Sequence, residues 1–323
     1  MAEDGREEIT EDEAALYDRQ IRLWGVEAQQ RMRNASILLV GFRSLNTEVG
    51  KNIALAGVGK LTVLDPERVT DRDLGAQFFL RQEDVGKNRA AAAAPRLQTM
   101  NPRVEIVVDQ EPIGSKADTF FTQFDLRIDN VCRLNNIPLY ISAVHGIFGY
   151  IFCDIVNHTY IEERKVPQGN NMDPLVEITK LNTTFPSLSS SLARKWQDVT
   201  ARTLKKRIGK VFFVTLLLWQ FQSDHSRNPR PEDAETLAAM WAGMVEEKGI
   251  KEPSILDTHM IDIFIRMHDT ELSPISAIVG GILAQDILKV LSGKELPIKN
   301  WFLYDGRDGS GLLHYISEGE ALG

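Results

Sequence analysis

The sequence has 323 residues, enough for one large α/β domain with insertions or for two modest domains. Hydrophobic residues make up 43% and charged residues 25%, close to the globular average, so disorder is not the default reading. With 37 basic against 45 acidic residues the formal charge is −8, and such a surface argues against nucleic acid as a main partner, because neutralising phosphates needs a basic patch.

Residues 1–10 read as a frayed tail, acidic and polar where a signal peptide would be basic and then apolar. From Glu11 to Met32 the pattern is helical, with Leu16, Ile21, Leu23 and Trp24 as apolar positions and Gly25 as a break between two short helices. Ala35 to Gly41 is a continuous apolar run ending in glycine, the pattern of a fully buried parallel strand. Asn46 to Ala56 has helical spacing and stops at Gly57-Val-Gly59, and Lys60 to Asp65 is a second buried strand with a carboxylate at its end. These three pieces make a βαβ unit, and its right-handed crossover places both strands in one parallel sheet.

Asp84 to Met100 predicts a third helix, rich in alanine, and Val104 to Asp109 another strand. Alternation of strand and helix through the first half favours a doubly wound, Rossmann-like α/β fold. Ile137 to Ser142 and Tyr150 to Ile155 add strand candidates, and Asn170 to Ser191, rich in Asn, Pro, Ser and Thr, is expected to include a loop or linker. Lys210 to Phe221, Glu232 to Lys248 and Leu256 to Met267 read as helices. The organisation expected is a main domain from 11–156 and 270–323, interrupted by a mostly helical insertion with a loop over 157–269. Ser276 to Leu291 is a strongly periodic helix and Trp301 to Asp305 a terminal strand.

The longest apolar run, around Val211 to Trp219, is too short to span a bilayer, so a soluble intracellular protein is expected, with no membrane partner. Two cysteines, Cys132 and Cys153, supply neither a disulfide framework nor a zinc-holding C-x-x-C pair, and buried structural cysteine is the expectation for both. Lys205-Lys206-Arg207 reads as a solvated helix face, Gly280 and Gly281 as close helix packing, and Trp24 and Trp301 as core or interface aromatics. His145, beside Gly146, has no paired nucleophile in the sequence and is weak as a catalytic base.

The natural place for a nucleotide is the turn after the first strand. A Rossmann turn needs G-x-G-x-x-G, so that the backbone approaches a phosphate and a helix N-terminus faces it. Here it reads Gly41-Phe42-Arg43-Ser44-Leu45-Asn46, and only the first glycine is kept. Side chains at the other two positions would crowd a phosphate. Asp65 stands where a ribose would be bound, but a strand-terminal Asp capping the next segment is at least as good a reading. The residues alone describe a degenerate nucleotide pocket, with no metal site.

Tyr17-Asp-Arg-Gln-Ile-Arg-Leu-Trp-Gly25, followed by the buried strand, resembles the opening of the activating enzymes for ubiquitin and its relatives, the ThiF–MoeB adenylation family. Gly75-Ala-Gln-Phe-Phe-Leu80, Val85-Gly-Lys-Asn-Arg-Ala90, Leu97-Gln-Thr-Met-Asn-Pro102, Pro274 to Lys289 and Phe302 to Gly306 follow in the family's order, so the likeness spans nearly the whole chain. Within the family, the length and the Gly75–Phe78 stretch are most similar to the small subunits of the heterodimeric SUMO-activating enzymes.

That resemblance implies two related adenylation folds, of which one keeps the ATP site. In catalytic members an Asn-x-Asn-Arg-Gln segment and a lysine after Val-Gly-x-x attend the nucleotide. Here the first reads Asp73-Leu-Gly-Ala-Gln77, with Ala76 in place of the arginine, and Arg89 stands where the lysine would. No candidate thioester cysteine lies in a suitable loop. The resemblance therefore implies a non-catalytic half, inactive in isolation, with ATP and Mg²⁺ held by a catalytic partner subunit and a SUMO-like protein as the molecule activated. It assigns Arg19 to the partner's ATP phosphates in trans, with Arg22 assisting, and implies a nuclear address with the cytoplasm second. The blander reading pairs both arginines with carboxylates such as Glu11 or Glu13.

The alternatives are the equivalent subunit for another ubiquitin-like protein of the NEDD8 type, a self-sufficient homodimeric adenylating enzyme, and a dinucleotide-dependent oxidoreductase. The broken turn opposes the last two. The chain also departs from the family after Phe124-Asp125. There the text passes almost directly to Arg127-Ile-Asp-Asn-Val-Cys-Arg133, and about a dozen residues, one strand and a turn, are wanting.

Overall fold

The computed structural model describes residues 9–125, 133, 135, 137–166 and 175–319, with the backbone alone at 164–166, 175 and 176. Cys132, the tail to residue 8 and most of the segment after Asp125 lie outside the described residues. Contacts divide the chain into two compact units, each discontinuous in sequence. The first comprises Met1–Leu139, Ile155–Phe185 and Gly280–Pro297, and the second Tyr140–Asp154, Pro186–Val279 and Ile298–Gly323.

The first unit is built on a three-stranded parallel sheet in the order β1 (Ser36–Val40), β2 (Lys60–Leu64), β3 (Glu105–Asp109). Helices Ser44–Leu55 and Arg89–Met100 make the crossovers. The apolar runs read as buried strands are buried: Ile37, Leu61 and Leu64 have no measurable exposure. β1 is an edge of this sheet among the described residues. At its start, Ser36 O accepts from the Asp125 backbone N–H at 2.8 Å, and Ser36 N donates to Asp125 Oδ2 at 2.7 Å. The strand that the resemblance leads one to expect beyond Asp125 is not among the described strands.

Before β1 the chain forms three short helices, Glu11–Leu16, Asp18–Trp24 and Val26–Arg33. The sequence predicts one break here, at Gly25. Tyr17 makes the second, because its ring turns inward and ends the first helix at that point (7% exposed).

The hairpin β6 (Asn157–Val166) and β7 (Leu175–Thr184) completes the first unit. Within Asn170–Ser191, where a loop or linker is expected, the ten residues Leu175–Thr184 form a paired strand that the sequence does not announce. The omission has a physical cause: β7 has no fully buried residue from Glu177 to Thr184, so it lacks the apolar alternation that marks a strand from sequence.

The second unit holds an antiparallel sheet in the order β4 (Leu139–His145), β5 (Phe148–Asp154), β8 (Trp301–Asp305), β9 (Ser310–His314). Its helices are mainly Gly209–His225, Ala234–Lys248 and Thr258–Met267, close to the predicted spans. Val211 to Leu218 is buried throughout, in a cluster where Phe212 meets Trp301 edge-on at 5.0 Å and Trp196 at 5.5 Å. Cys153 is fully buried and its thiol donates to Ile298 O, as a structural cysteine would. Lys205, Lys206 and Arg207 lie exposed on a π-helical turn, Leu204–Ile208.

Helix Ser273–Ser292 is long and apolar enough to cross a membrane by length and composition, with a mean hydropathy of 1.6 over its most apolar window. Val279, Leu283, Ala284, Ile287 and Leu288 are buried within the protein, and so is Asp286, which marks a core helix. Gly280 does permit close packing: a Cβ there would lie 2.8 Å from the Glu48 Cβ. Gly281 faces open space.

Candidate functional site

The turn after β1 begins at Gly41, whose φ of +75° is the left-handed conformation that glycine adopts freely. Beyond it the two replaced glycines each do something else. Arg43 caps the following helix, where its carbonyl accepts from Thr47 Oγ1 at 2.8 Å, and Asn46 folds its side-chain amide back to donate to Val40 O and Gly41 O at 2.9 and 2.8 Å, while Phe42 beside them is fully buried against Gly50. The carbonyls at the start of the turn are thus used internally.

Asp65, 1% exposed at the end of β2, is the centre of a buried network. Its Oδ2 accepts from the Phe42 backbone N–H at 2.7 Å and from Arg89 Nε at 2.7 Å. Its Oδ1 accepts from the Glu67 backbone N–H at 3.0 Å and from Arg89 Nη2 at 3.2 Å. A carboxylate has about four lone-pair sites, and all are occupied here. Arg89 Nη1 reaches on to Asp73 Oδ1 at 3.0 Å, while Asp73 Oδ2 accepts from the backbone and hydroxyl of Thr70, both at 2.8 Å. Burial disfavours the guanidinium, but the hydrogen bonds and charges of Asp65 and Asp73 outweigh it and raise the Arg89 pKa above the ordinary arginine value.

Arg89 is the first residue of its helix, capped by Asn88, whose Oδ1 accepts from Ala91 N at 2.9 Å. The helix N-terminus adds positive potential beside the two carboxylates. A ribose at Asp65 would have to displace a bidentate arginine, so the residues present do not fit a nucleotide in the usual orientation. Ala76 has only backbone groups to offer, and both are engaged: its carbonyl accepts from Ser44 Oγ at 3.1 Å and its N–H donates to Asp73 O at 3.2 Å.

Arg19 lies elsewhere, on helix Asp18–Trp24. It is exposed and has no ion pair among the described residues. Arg22 is tied to Asp18 at 3.0 Å on the same surface. Glu13, the rival partner from sequence, is engaged by Arg33 at 2.9 Å and takes no part with either arginine. The helix turns Gln20, Ile21 and Trp24 toward the protein, and Arg19, Arg22 and Leu23 (71% exposed) toward solvent.

His145 donates from Nδ1 to the carbonyl oxygen of His268, a structural bond. Among the described residues no group of three His, Cys, Asp or Glu is disposed to hold a metal. A cavity of about 660 Å³ lined by Gln30, Arg31, Asp125, His158 and Leu291 shares no residue with the turn or with Arg19.

Sequence reading missed the Arg89–Asp65–Asp73 network as a unit. The signal available was a carboxylate at the end of the second strand, Asp65, with Asp73 after it and an arginine, Arg89, at the start of the next helix.

A family model described as the ThiF family matches residues 17–315. SUMO-activating enzyme subunit 1 of Rattus norvegicus is 38% identical over 95% of this chain and 95% of its own length. The Homo sapiens protein of the same name is 38% identical over 95% and 96%, and that of Danio rerio 38% over 96% and 96%. Among solved structures, E. coli MccB with MccA-N7isoASN aligns with a TM-score of 0.54 at 13% identity, covering 94% of this chain and 72% of that one, a likeness of fold.

Proposed function

The chain belongs to the ThiF family, and on that premise we propose that it is the non-catalytic subunit of a heterodimeric SUMO-activating enzyme. Its partner would hold ATP and Mg²⁺, adenylate the C-terminus of a SUMO-like protein and receive it as a thioester on a cysteine. When bound there, ATP supplies the adenylate and the pyrophosphate leaving group. This chain would supply the scaffold and one cation, Arg19.

The observation that carries the reading is a contrast between two arginines. Arg89 is buried and fully spent on Asp65 and Asp73, which closes this chain's own pocket. Arg19 is presented to solvent without a partner among the described residues, on the face of its helix that also bears Leu23. A guanidinium left free in this way, once ordered against a partner's site, would stabilise charge developing on a departing pyrophosphate through bidentate hydrogen bonds. Arg22, neutralised in part by Asp18, is the lesser contributor.

The test is ATP–pyrophosphate exchange by this chain alone and mixed with a catalytic SUMO-activating subunit. Exchange only on mixing, slowed about 100-fold or more by Arg19→Ala with dimerisation intact, is the expected result. Exchange by this chain alone, or undiminished exchange by the Arg19→Ala complex, overturns the proposal.

A further inference from the structure

Helix Asp18–Trp24 has seven residues and none of them is buried. So short a helix does not hold itself in water, and its direction is fixed by what anchors its ends. The anchors converge on one place, the C-terminus of helix Ser44–Leu55, where unsatisfied carbonyls attract donors. Three consecutive carbonyls there each accept from a side-chain amide. Asn101 Nδ2 donates to Ala54 O at 2.8 Å, Gln20 Nε2 to Leu55 O at 3.4 Å, and Gln29 Nε2 to Ala56 O at 2.9 Å.

Tyr17, immediately before the Arg19 helix, closes this arrangement. Its ring lies on Gly57 so tightly that a Cβ there would be 2.5 Å from the Tyr17 Cζ. Its hydroxyl accepts from the same Asn101 Nδ2 at 2.7 Å. The carbonyl of Ala54 can only accept, so the NH₂ of Asn101 must face it, and both amide protons are then committed. Asn101 Oδ1 accepts from the Arg103 backbone N–H at 3.2 Å, which completes the amide. Tyr17 is 7% exposed and Asn101 6%, so the hydroxyl–amide bond is made away from water.

We propose that Tyr17, through its hydrogen bond with Asn101, is the positioning residue of Arg19. The bond sets the height and rotation of the helix whose outer face presents the guanidinium. This inference rests on the reading that Arg19 acts in the partner's site. Tyr17 touches no reacting group and acts only through the geometry it gives to Arg19.

The experiment is a double-mutant cycle in the reconstituted heterodimer with a catalytic SUMO-activating subunit, read as kcat for ATP–pyrophosphate exchange. Tyr17→Phe removes the hydroxyl and keeps the ring on Gly57, so the chain still folds and pairs, with a modest loss of stability from the Asn101 proton left without its acceptor, and exchange is read at saturating partner concentration on the assembled heterodimer. Exchange is expected to fall about tenfold, since a small misplacement of a catalytic group costs one to two orders of magnitude. In the Arg19→Ala background the same substitution should cost nothing further, which a purely structural role would not produce. Normal exchange by Tyr17→Phe, or losses that multiply in the double variant, overturns the positioning role while the Arg19 reading stands. Undiminished exchange by Arg19→Ala overturns both.

Discussion

Arg89 binds Asp65 through two parallel contacts, Nε to Oδ2 at 2.7 Å and Nη2 to Oδ1 at 3.2 Å, where an intact Rossmann site would offer that carboxylate to a ribose. The pair is nearly dry, with side-chain exposures of 8% and 1%. Removing one member of such a pair strands the other charge. Asp65→Ala should therefore destabilise the first unit by about 3–5 kcal/mol, measured by urea denaturation of the purified chain. A loss well under about 1 kcal/mol would mean that the network is not what closes the turn.

The same occupancy bears on ligand binding. A ligand that binds the folded state raises the unfolding midpoint by mass action, about 2.7 kcal/mol at a hundredfold excess over Kd. We expect millimolar ATP with Mg²⁺ to leave the melting temperature of the isolated chain unchanged. A saturable increase would show that Arg89 can be displaced.

Much of this was legible in the sequence, and unevenly so. β1 and β2 were readable because they are short apolar runs ended by Gly41 and Asp65, each buried on both faces. The lost glycines of the turn were legible as a loss, but not the replacement: that Phe42 N–H and Arg89 meet on one carboxylate depends on residues 23 and 24 positions from Asp65, a pairing that no local pattern encodes. Arg19 was legible through the Tyr17–Gly25 motif alone. Its freedom from Glu13 was not, because that carboxylate is claimed by Arg33 from a different helix. β7 stayed hidden because a solvent-exposed strand carries polar residues on both faces.

Gly57 should tolerate no side chain. Its φ is +80°, and an added Cβ would enter the Tyr17 ring. Gly57→Ala combines left-handed strain with displacement of that ring, and a loss of about 2–4 kcal/mol is expected in chemical denaturation. Because the displaced group is Tyr17, the variant heterodimer should also lose exchange activity beyond what its stability predicts. Wild-type stability would show that the ring moves aside without cost.

In the second unit the aromatic cluster should dominate. Phe212 has no exposure and lies between Trp301 and Trp196. Phe212→Ala should cost about 3–5 kcal/mol, and Phe212→Leu distinctly less, by chemical denaturation followed through tryptophan fluorescence. Equal losses for the two would point to a specific aromatic contact instead of volume.

Acid stability should depend on Asp84. Burial raises its pKa, but hydrogen bonds from Lys87, Arg96 and the Arg81 backbone prevail and bring it from 3.8 down to about 2. A carboxylate with a lowered folded-state pKa stabilises the protein above its unfolded pKa, and that contribution disappears as pH falls through the folded value. The wild-type chain should thus lose stability between pH 3.8 and about 2, as Asp84 takes up a proton and releases Arg96, which it holds at 2.6 Å. Glu13, also lowered by its backbone bond to Thr10 and by Arg33, acts in the same direction, so the slope should not vanish in a single variant. Asp84→Asn should lower the urea midpoint at about pH 5 and flatten its fall toward pH 2. A slope identical to wild type would place the acid sensitivity in other carboxylates.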